Sequence, residues 1–448
     1  MSMTETRFRA AFTLAALLGL SACATTHPMM PVPVMYTGAQ AKPLFAETPA
    51  VVRTPPLDLL YFTDRAPSKD PDEAEPYTSQ RSRSEAFGTT TVLFGDGMTW
   101  DTLAKQSIEV ERRPSVDLTL GPTRELGRFP PIPYQVDVAG IGRVRDPAVV
   151  RAHEAAVREL QAEVARRLAS SPRKEVVLYV HGVANTFQDA ALTMGEICHF
   201  LGREFVCGIF TWPAAGKGGV LFGYEQDYES SLFSAEHLRK TIRAIAGTPG
   251  LQRIHLISHS RGTDVLATAV SDLSVEAYTQ QSNIAQRYKI GNLVLMAPDL
   301  DVDVAVAKIF RVESDPAVPY GSAPNPKVIF ERMPEFRVTV YASPEDKALA
   351  TSGWLFGSFV RLGRLNQTLL TPEQLKHART LGFLDVIQVR SKTDLFGHSY
   401  FVSNPEVSSD LIAMLRYGLG PSDPGRALEL VEKPFWRIPE RQDTGAAD

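Results

Sequence analysis

Between residues 146 and 389 the apolar positions follow two alternating rhythms. Val149, Val150, His153, Val157, Leu160, Val164 and Leu168 recur at helical spacing behind Asp146 and Pro147, an N-cap followed by a first-turn proline. Residues 175–180 (EVVLYV) are a short run dense in β-branched side chains, as expected of a buried strand. The succession continues with a helix over 187–201 stopped by Gly202, a strand over 205–211, and a helix over 232–246 stopped by Gly247. A strand over 253–257, a helix over 263–273, and strands over 292–296, 337–341 and 384–389 complete it. Short apolar strands alternating with amphipathic helices predict an α/β fold, a three-layer α/β/α sandwich around a mainly parallel sheet.

The flanks read differently. Residues 58–63 (DLLYFT) form a first strand-like run, residues 66–85 are polar and aperiodic and are expected to be a surface loop, and 86–145 hold short strand-like pieces in no definable order. Segments 300–335 and 350–380 are expected to be cap insertions, with Trp354, Leu355, Phe356 and Phe359 as either a pocket lining or a buried core cluster. Residues 23–56, rich in proline, suit an extended tether, which leaves 57–420 as the folded domain and 421–448 as a tail. At the start, Arg7 and Arg9 precede an apolar run over 10–20 and then Ser21, Ala22 and Cys23. This is the layout of a secretory signal, expected over 1–22, with an apolar run too short to span a bilayer comfortably.

Composition narrows the function. The 448 residues are 44% apolar and 22% charged with a net charge of −4, and no long basic run exists, so nucleic-acid binding has no electrostatic footprint. Cys198 and Cys207 are left either as two buried thiols or as a disulfide, which an oxidising periplasm would permit.

A parallel sheet carries its chemistry beyond the carboxyl ends of its strands. There the strand over 253–257 runs into Ser258-His259-Ser260-Arg261-Gly262 and at once into a helix. A serine on such a bend needs small neighbours two residues to either side, and Ser258 and Gly262 supply them. A hydroxyl becomes a nucleophile only when a base takes its proton. His398 follows the last strand-like run and is the candidate base, whereas His259 is read as structural. Asp346, after the strand over 337–341, is the candidate acid that orients the imidazole, with Asp299 and Asp301 as alternatives and Glu345 a lesser one. Backbone N–H groups of Arg261 and of Val183, in the loop His181-Gly182-Val183-Ala184-Asn185, are the candidate oxyanion donors. No metal or organic cofactor is required by this chemistry.

Taken together, VLYVHGVANTF, FTWPAAG, YEQDYESS, LISHSRGTDVLA, LMAPDLD, VYASPEDKAL and GHSYF, with the early LYFTDR, resemble a bacterial α/β-hydrolase family of uncharacterised function within the esterase/lipase superfamily. The resemblance spans roughly residues 58–417 and implies a Ser260–Asp346–His398 triad, in the chain order of that fold. It implies a serine hydrolase acting on small-molecule or lipid acyl esters. A thioesterase or acyltransferase, or a non-catalytic scaffold used for binding, are the alternatives. Ser258 and Arg261 depart from the family's usual elbow, and Arg261 is expected to alter pocket polarity. The segment Leu20-Ser21-Ala22-Cys23 resembles the lipobox of bacterial lipoprotein signals. That implies acylation of Cys23, cleavage before it, and attachment to an envelope membrane facing the periplasm. With Ala24 following, it implies outer-membrane sorting.

Overall fold

The computed structural model describes residues 27–39, 41–70, 75–140, 142–215, 219–319, 336–355, 360–390 and 397–439. Fourteen strands are seen among them: β1 (His27–Pro28), β2 (Leu57–Pro67), β3 (Tyr77–Phe94), β4 (Asp117–Arg128), β5 (Val136–Ala139), β6 (Gly142–Arg145), β7 (Glu175–Val180), β8 (Val206–Thr211), β9 (Arg253–His259), β10 (Ile290–Met296), β11 (Arg337–Ala342), β12 (Leu384–Gln388), β13 (Glu429–Glu432) and β14 (Phe435–Arg437). Twelve form one sheet in the order β1-β4-β3-β2-β8-β7-β9-β10-β11-β12-β14-β13, and β5 and β6 form a separate pair. From β2 through β8, β7, β9, β10, β11 and β12 to β14 every pairing is parallel. The antiparallel pairs lie at the two edges.

The strands of the parallel block are apolar on both faces because both faces are covered. Val177 and Tyr179 of β7 enter one core, while Val176, Leu178 and Val180 enter the other. Val294 and Met296 of β10 divide from Leu293 and Leu295 in the same way. Helices Phe187–Phe200 and Pro405–Tyr417 cover the first face. Helices Pro147–Ser170, Gly219–Ala246 and Gly262–Thr279 cover the second. The expected signals act as read: Asp146 caps its helix through Ala148 N–H at 2.7 Å, and Gly202, at φ 76°, follows the end of helix Phe187–Phe200. The helix expected over 232–246 begins earlier, at Gly219.

Three expectations about the flanks are corrected. Residues 66–85 are not one loop: β2 runs on through Pro67 and β3 begins at Tyr77. The first half of β3 is polar and mostly half-buried or exposed, so after Tyr77 nothing apolar marks it in the sequence. The tail contributes β13 and β14, with β14 pairing β12, so residues 384–389 are not the final strand. The described part of the tether, 27–56, is a strap packed on the domain. Met29, Met30, Val32, Tyr36 and Leu44 are buried in the first core, and Tyr36 Oη donates to Phe200 O at 2.7 Å. Its prolines break periodicity, which hid its apolar contacts. Cys198 and Cys207 are joined as a disulfide with Cα atoms 6.2 Å apart. The signal segment with Cys23, and the side chains of Trp354, Leu355, Phe356 and Phe359, lie outside the described residues. No helix among the described residues is long and apolar enough to cross a membrane.

Candidate active site

Strand register brings the candidate residues to one end of the sheet. Val180 pairs Ser258, His259 pairs Met296, Met296 pairs Tyr341, and Tyr341 pairs Ile387. The loops leaving β7, β9, β11 and β12 therefore start side by side, and they carry Val183, Ser260, Asp346 and His398.

Ser260 sits at φ 51°, in the left-handed region that side chains other than glycine avoid. Such a conformation costs of order 1–3 kcal/mol and persists where the surroundings over-determine it. Here Ser260 N–H donates to Met296 O at 3.0 Å, and Ser260 O accepts from Thr263 and Asp299 N–H, each at 3.1 Å. The small flanking residues have visible causes. A Cβ on Gly262 would lie 2.3 Å from His181 O, and Ser258 is fully buried with its Oγ 3.1 Å from Thr263 Oγ1. Gly182 packs directly on the nucleophile candidate: a Cβ there would lie 2.8 Å from Ser260 Cβ and 3.1 Å from His259 Nδ1.

Of the three principal acid candidates, Asp346 is the one that meets His398. His398 Nδ1–H donates to Asp346 Oδ2 at 2.7 Å, while Leu349 N–H donates to Asp346 Oδ1 at 2.9 Å. Asp346 is fully buried, and the second bond fixes the direction of its carboxylate. Asp299 is engaged elsewhere: it pairs with Arg261 Nη2 at 3.0 Å, accepts from Ser352 Oγ at 2.7 Å, and lies 3.5 Å from Arg361 Nε. Asp301 caps helix Val302–Ile309 through Asp303 N–H at 2.9 Å. The Arg261 side chain, expected to alter pocket polarity, is buried against Asp299 and over the Tyr228 ring. It is thus paired with a carboxylate.

His259 packs on the candidate base, His398, from the other side. Its Nε2–H donates to His398 O at 3.2 Å, and the two rings lie 4.8 Å apart. Burial, with His398 adding to it, lowers the His259 pKa to about 3, so the ring is neutral in the native protein. A free histidine takes up a proton near 6.5, so between 6.5 and 3 the unfolded chain binds the extra proton and stability falls as the pH falls. The His259→Gln variant should therefore lose less stability than wild type between pH 7 and 5, by about 2 kcal/mol in denaturant titrations. Identical pH slopes for the two proteins would contradict this.

The sequence reading assigned no role to the residues that anchor the loop carrying Val183. Arg65, fully buried at the end of β2, donates from Nη2 to Asn185 O at 2.6 Å, from Nη1 to Ala214 O at 3.1 Å and Thr78 O at 3.3 Å, and from Nε to Thr211 Oγ1 at 2.8 Å. Burial lowers its pKa to about 10, which leaves it charged at neutral pH. Trp212 donates its backbone N–H to His181 Nε2 at 3.1 Å and its indole N–H to His181 O at 2.8 Å, and the two rings stack. Burial and Arg65 hold the His181 pKa well below its usual value. Asp227 Oδ2 accepts the Ala184 N–H at 2.9 Å. The signals were present as LYFTDR, FTWPAAG and YEQDYESS, but only the tertiary contact gives them a task. Replacing Arg65 by Met would leave three carbonyl groups unpaired at about 1–3 kcal/mol each. We expect a stability loss of at least about 3 kcal/mol by urea titration. A change within about 0.5 kcal/mol, the usual scatter of surface variants, would contradict that role.

No curated protein matches the chain. Among solved structures it is similar to esterase B from Lactobacillus rhamnosis inhibited by a tributyrin phosphonate, at 12% identity and a TM-score of 0.30, over 61% of this chain and 95% of that one. It is similar also to a Pyrobaculum calidifontis esterase, at 13% identity and a TM-score of 0.28, over 61% and 94%. The family described as "Alpha/beta hydrolase of unknown function (DUF900)" matches residues 156–415, more than half of the sequence, and the chain belongs to that family.

Proposed function

We propose that the protein is a serine hydrolase of acyl esters, with Ser260 as nucleophile, His398 as general base and acid, and Asp346 as the carboxylate that orients His398. The observation that carries this reading is the 2.7 Å bond from His398 Nδ1–H to buried Asp346, made beside an elbow that holds Ser260 at φ 51°. With Nδ1 donating to Asp346, the neutral ring carries its lone pair on Nε2, the nitrogen that takes the hydroxyl proton in the proposed reaction. In the proposed reaction Ser260 Oγ attacks the ester carbonyl as His398 Nε2 takes its proton. The oxyanion accepts N–H groups of Val183 and Arg261. Collapse of the tetrahedral intermediate breaks the ester C–O bond, and His398 returns the proton to the leaving alcohol. Water then attacks the acyl-enzyme by the same route in reverse, releasing the acid and restoring Ser260.

We propose further that the protein is carried to the cell envelope, acylated at Cys23 and held on a membrane facing the periplasm. The Cys198–Cys207 disulfide supports an oxidising compartment.

The test is a panel of acyl esters of graded chain length, offered to protein lacking residues 1–23. Turnover is expected from wild type and not from Ser260→Ala or His398→Ala. Equal turnover by Ser260→Ala would overturn the reading.

A further inference from the structure

The strap has a consequence for substrate. Only Ala24, Thr25 and Thr26 separate Cys23 from His27, and four fully extended residue steps reach at most about 14 Å. From His27 onward the described strap residues are tied to the domain at several points. Met30 N–H donates to Glu196 Oε2 at 2.8 Å, and Arg112 Nη1 donates to Met29 O and Met30 O at 2.9 and 2.7 Å. Thr48 Oγ1 donates to Gly202 O at 2.7 Å, and Arg203 binds the carbonyls of Val52, Thr54, Pro55 and Pro56.

These contacts lie at the end of the molecule away from the candidate site. Helix Phe187–Phe200 begins directly after the loop carrying Val183 and runs for 14 residues, about 20 Å at 1.5 Å per residue. The strap holds its far part, from Glu196 to Phe200 and on to Arg203. Sheet register agrees. His27 pairs Leu118, Leu118 pairs Phe94, and neighbouring Val92 pairs Leu57, which starts β2. The site loops leave the other ends of the parallel strands.

We infer that the anchored protein turns its strap end to the bilayer and its site to the water, and that its substrate is a water-borne acyl ester and not a lipid of the membrane that holds it. This rests on the acylation of Cys23 and on the serine-hydrolase reading given above. A long tether would have let the site swing down to the lipid surface, and the packed strap removes that freedom.

The full-length lipoprotein, reconstituted in phospholipid vesicles bearing a headgroup quencher, tests it. Cys198 and Cys207 are paired with each other and Cys23 carries the lipid in this reading, so an introduced thiol takes the fluorophore. Ala41→Cys labels the exposed strap, and Val304→Cys labels an exposed position in the helix that follows β10 on the site side. Quenching is expected to be severalfold stronger at position 41 than at position 304, and equal or reversed quenching overturns the orientation. Protein that does not float with the vesicles overturns the anchor. On the same vesicles a dissolved short-chain ester should be cleaved as fast as in detergent while the phospholipid stays intact. Ser260-dependent cleavage of the phospholipid overturns the substrate class. Cleavage of neither overturns the catalytic reading and the substrate class together, while the two labels still decide the orientation.

Discussion

Ser260→Ala is expected to lower kcat on a good ester substrate by about 10⁴- to 10⁶-fold, the range seen when single members of a triad are removed. The loss should be confined to chemistry. Ser260 contributes its backbone to the elbow through bonds to Met296, Thr263 and Asp299, and alanine keeps all three. The variant should therefore unfold at a denaturant concentration close to that of wild type. A kcat reduced less than tenfold, with the fold intact, would place the chemistry elsewhere. A parallel loss of stability of several kcal/mol would show that the elbow, not the hydroxyl, had been damaged.

Asp346→Asn should cost about 10⁴-fold in kcat, because an amide cannot serve both of the bonds that the carboxylate accepts. Oδ1 receives Leu349 N–H and Oδ2 receives His398 Nδ1–H. An asparagine that keeps its oxygen toward Leu349 turns its NH₂ toward His398. The imidazole then places its proton on Nε2, where a base must have its lone pair. The alternative acids give the contrast. Asp301→Ala should cost about 1 kcal/mol of stability, as helix caps do, with little change in kcat. Asp299→Asn should act through stability, since it weakens the pairing of two buried guanidinium groups, Arg261 and Arg361. If Asp299→Asn and not Asp346→Asn abolished turnover without unfolding the protein, the acid would have to be reassigned.

How far the sequence foretold this arrangement depended on how closely burial followed a repeat. The strands from β7 to β12 were legible because both faces are buried, which leaves near-continuous apolar runs cut by helices of period 3.6. The elbow was legible because steric demand leaves small residues at 258 and 262. The acid was legible as a first choice, Asp346, but not set apart from its alternatives, since Asp299, Asp301 and Asp346 all follow adjacent strands and only the paths of the loops separate them. The strap and the first half of β3 were invisible for different reasons: proline removed the repeat from one, and partial exposure left the other with polar side chains. Arg65 and Asp227 carry no role that their neighbours in the sequence reveal. Arg65 reaches Asn185 O and Ala214 O, and Asp227 reaches Ala184 N–H, far along the chain, and local pattern holds no record of that.

The proposed role of Ser260 as the activated nucleophile is open to direct chemical test by reacting the protein with a fluorophosphonate and locating the added mass by peptide mapping. One adduct on Ser260, absent from His398→Ala, is the result predicted here. An adduct on another residue, or none on a protein that turns over esters, would contradict it.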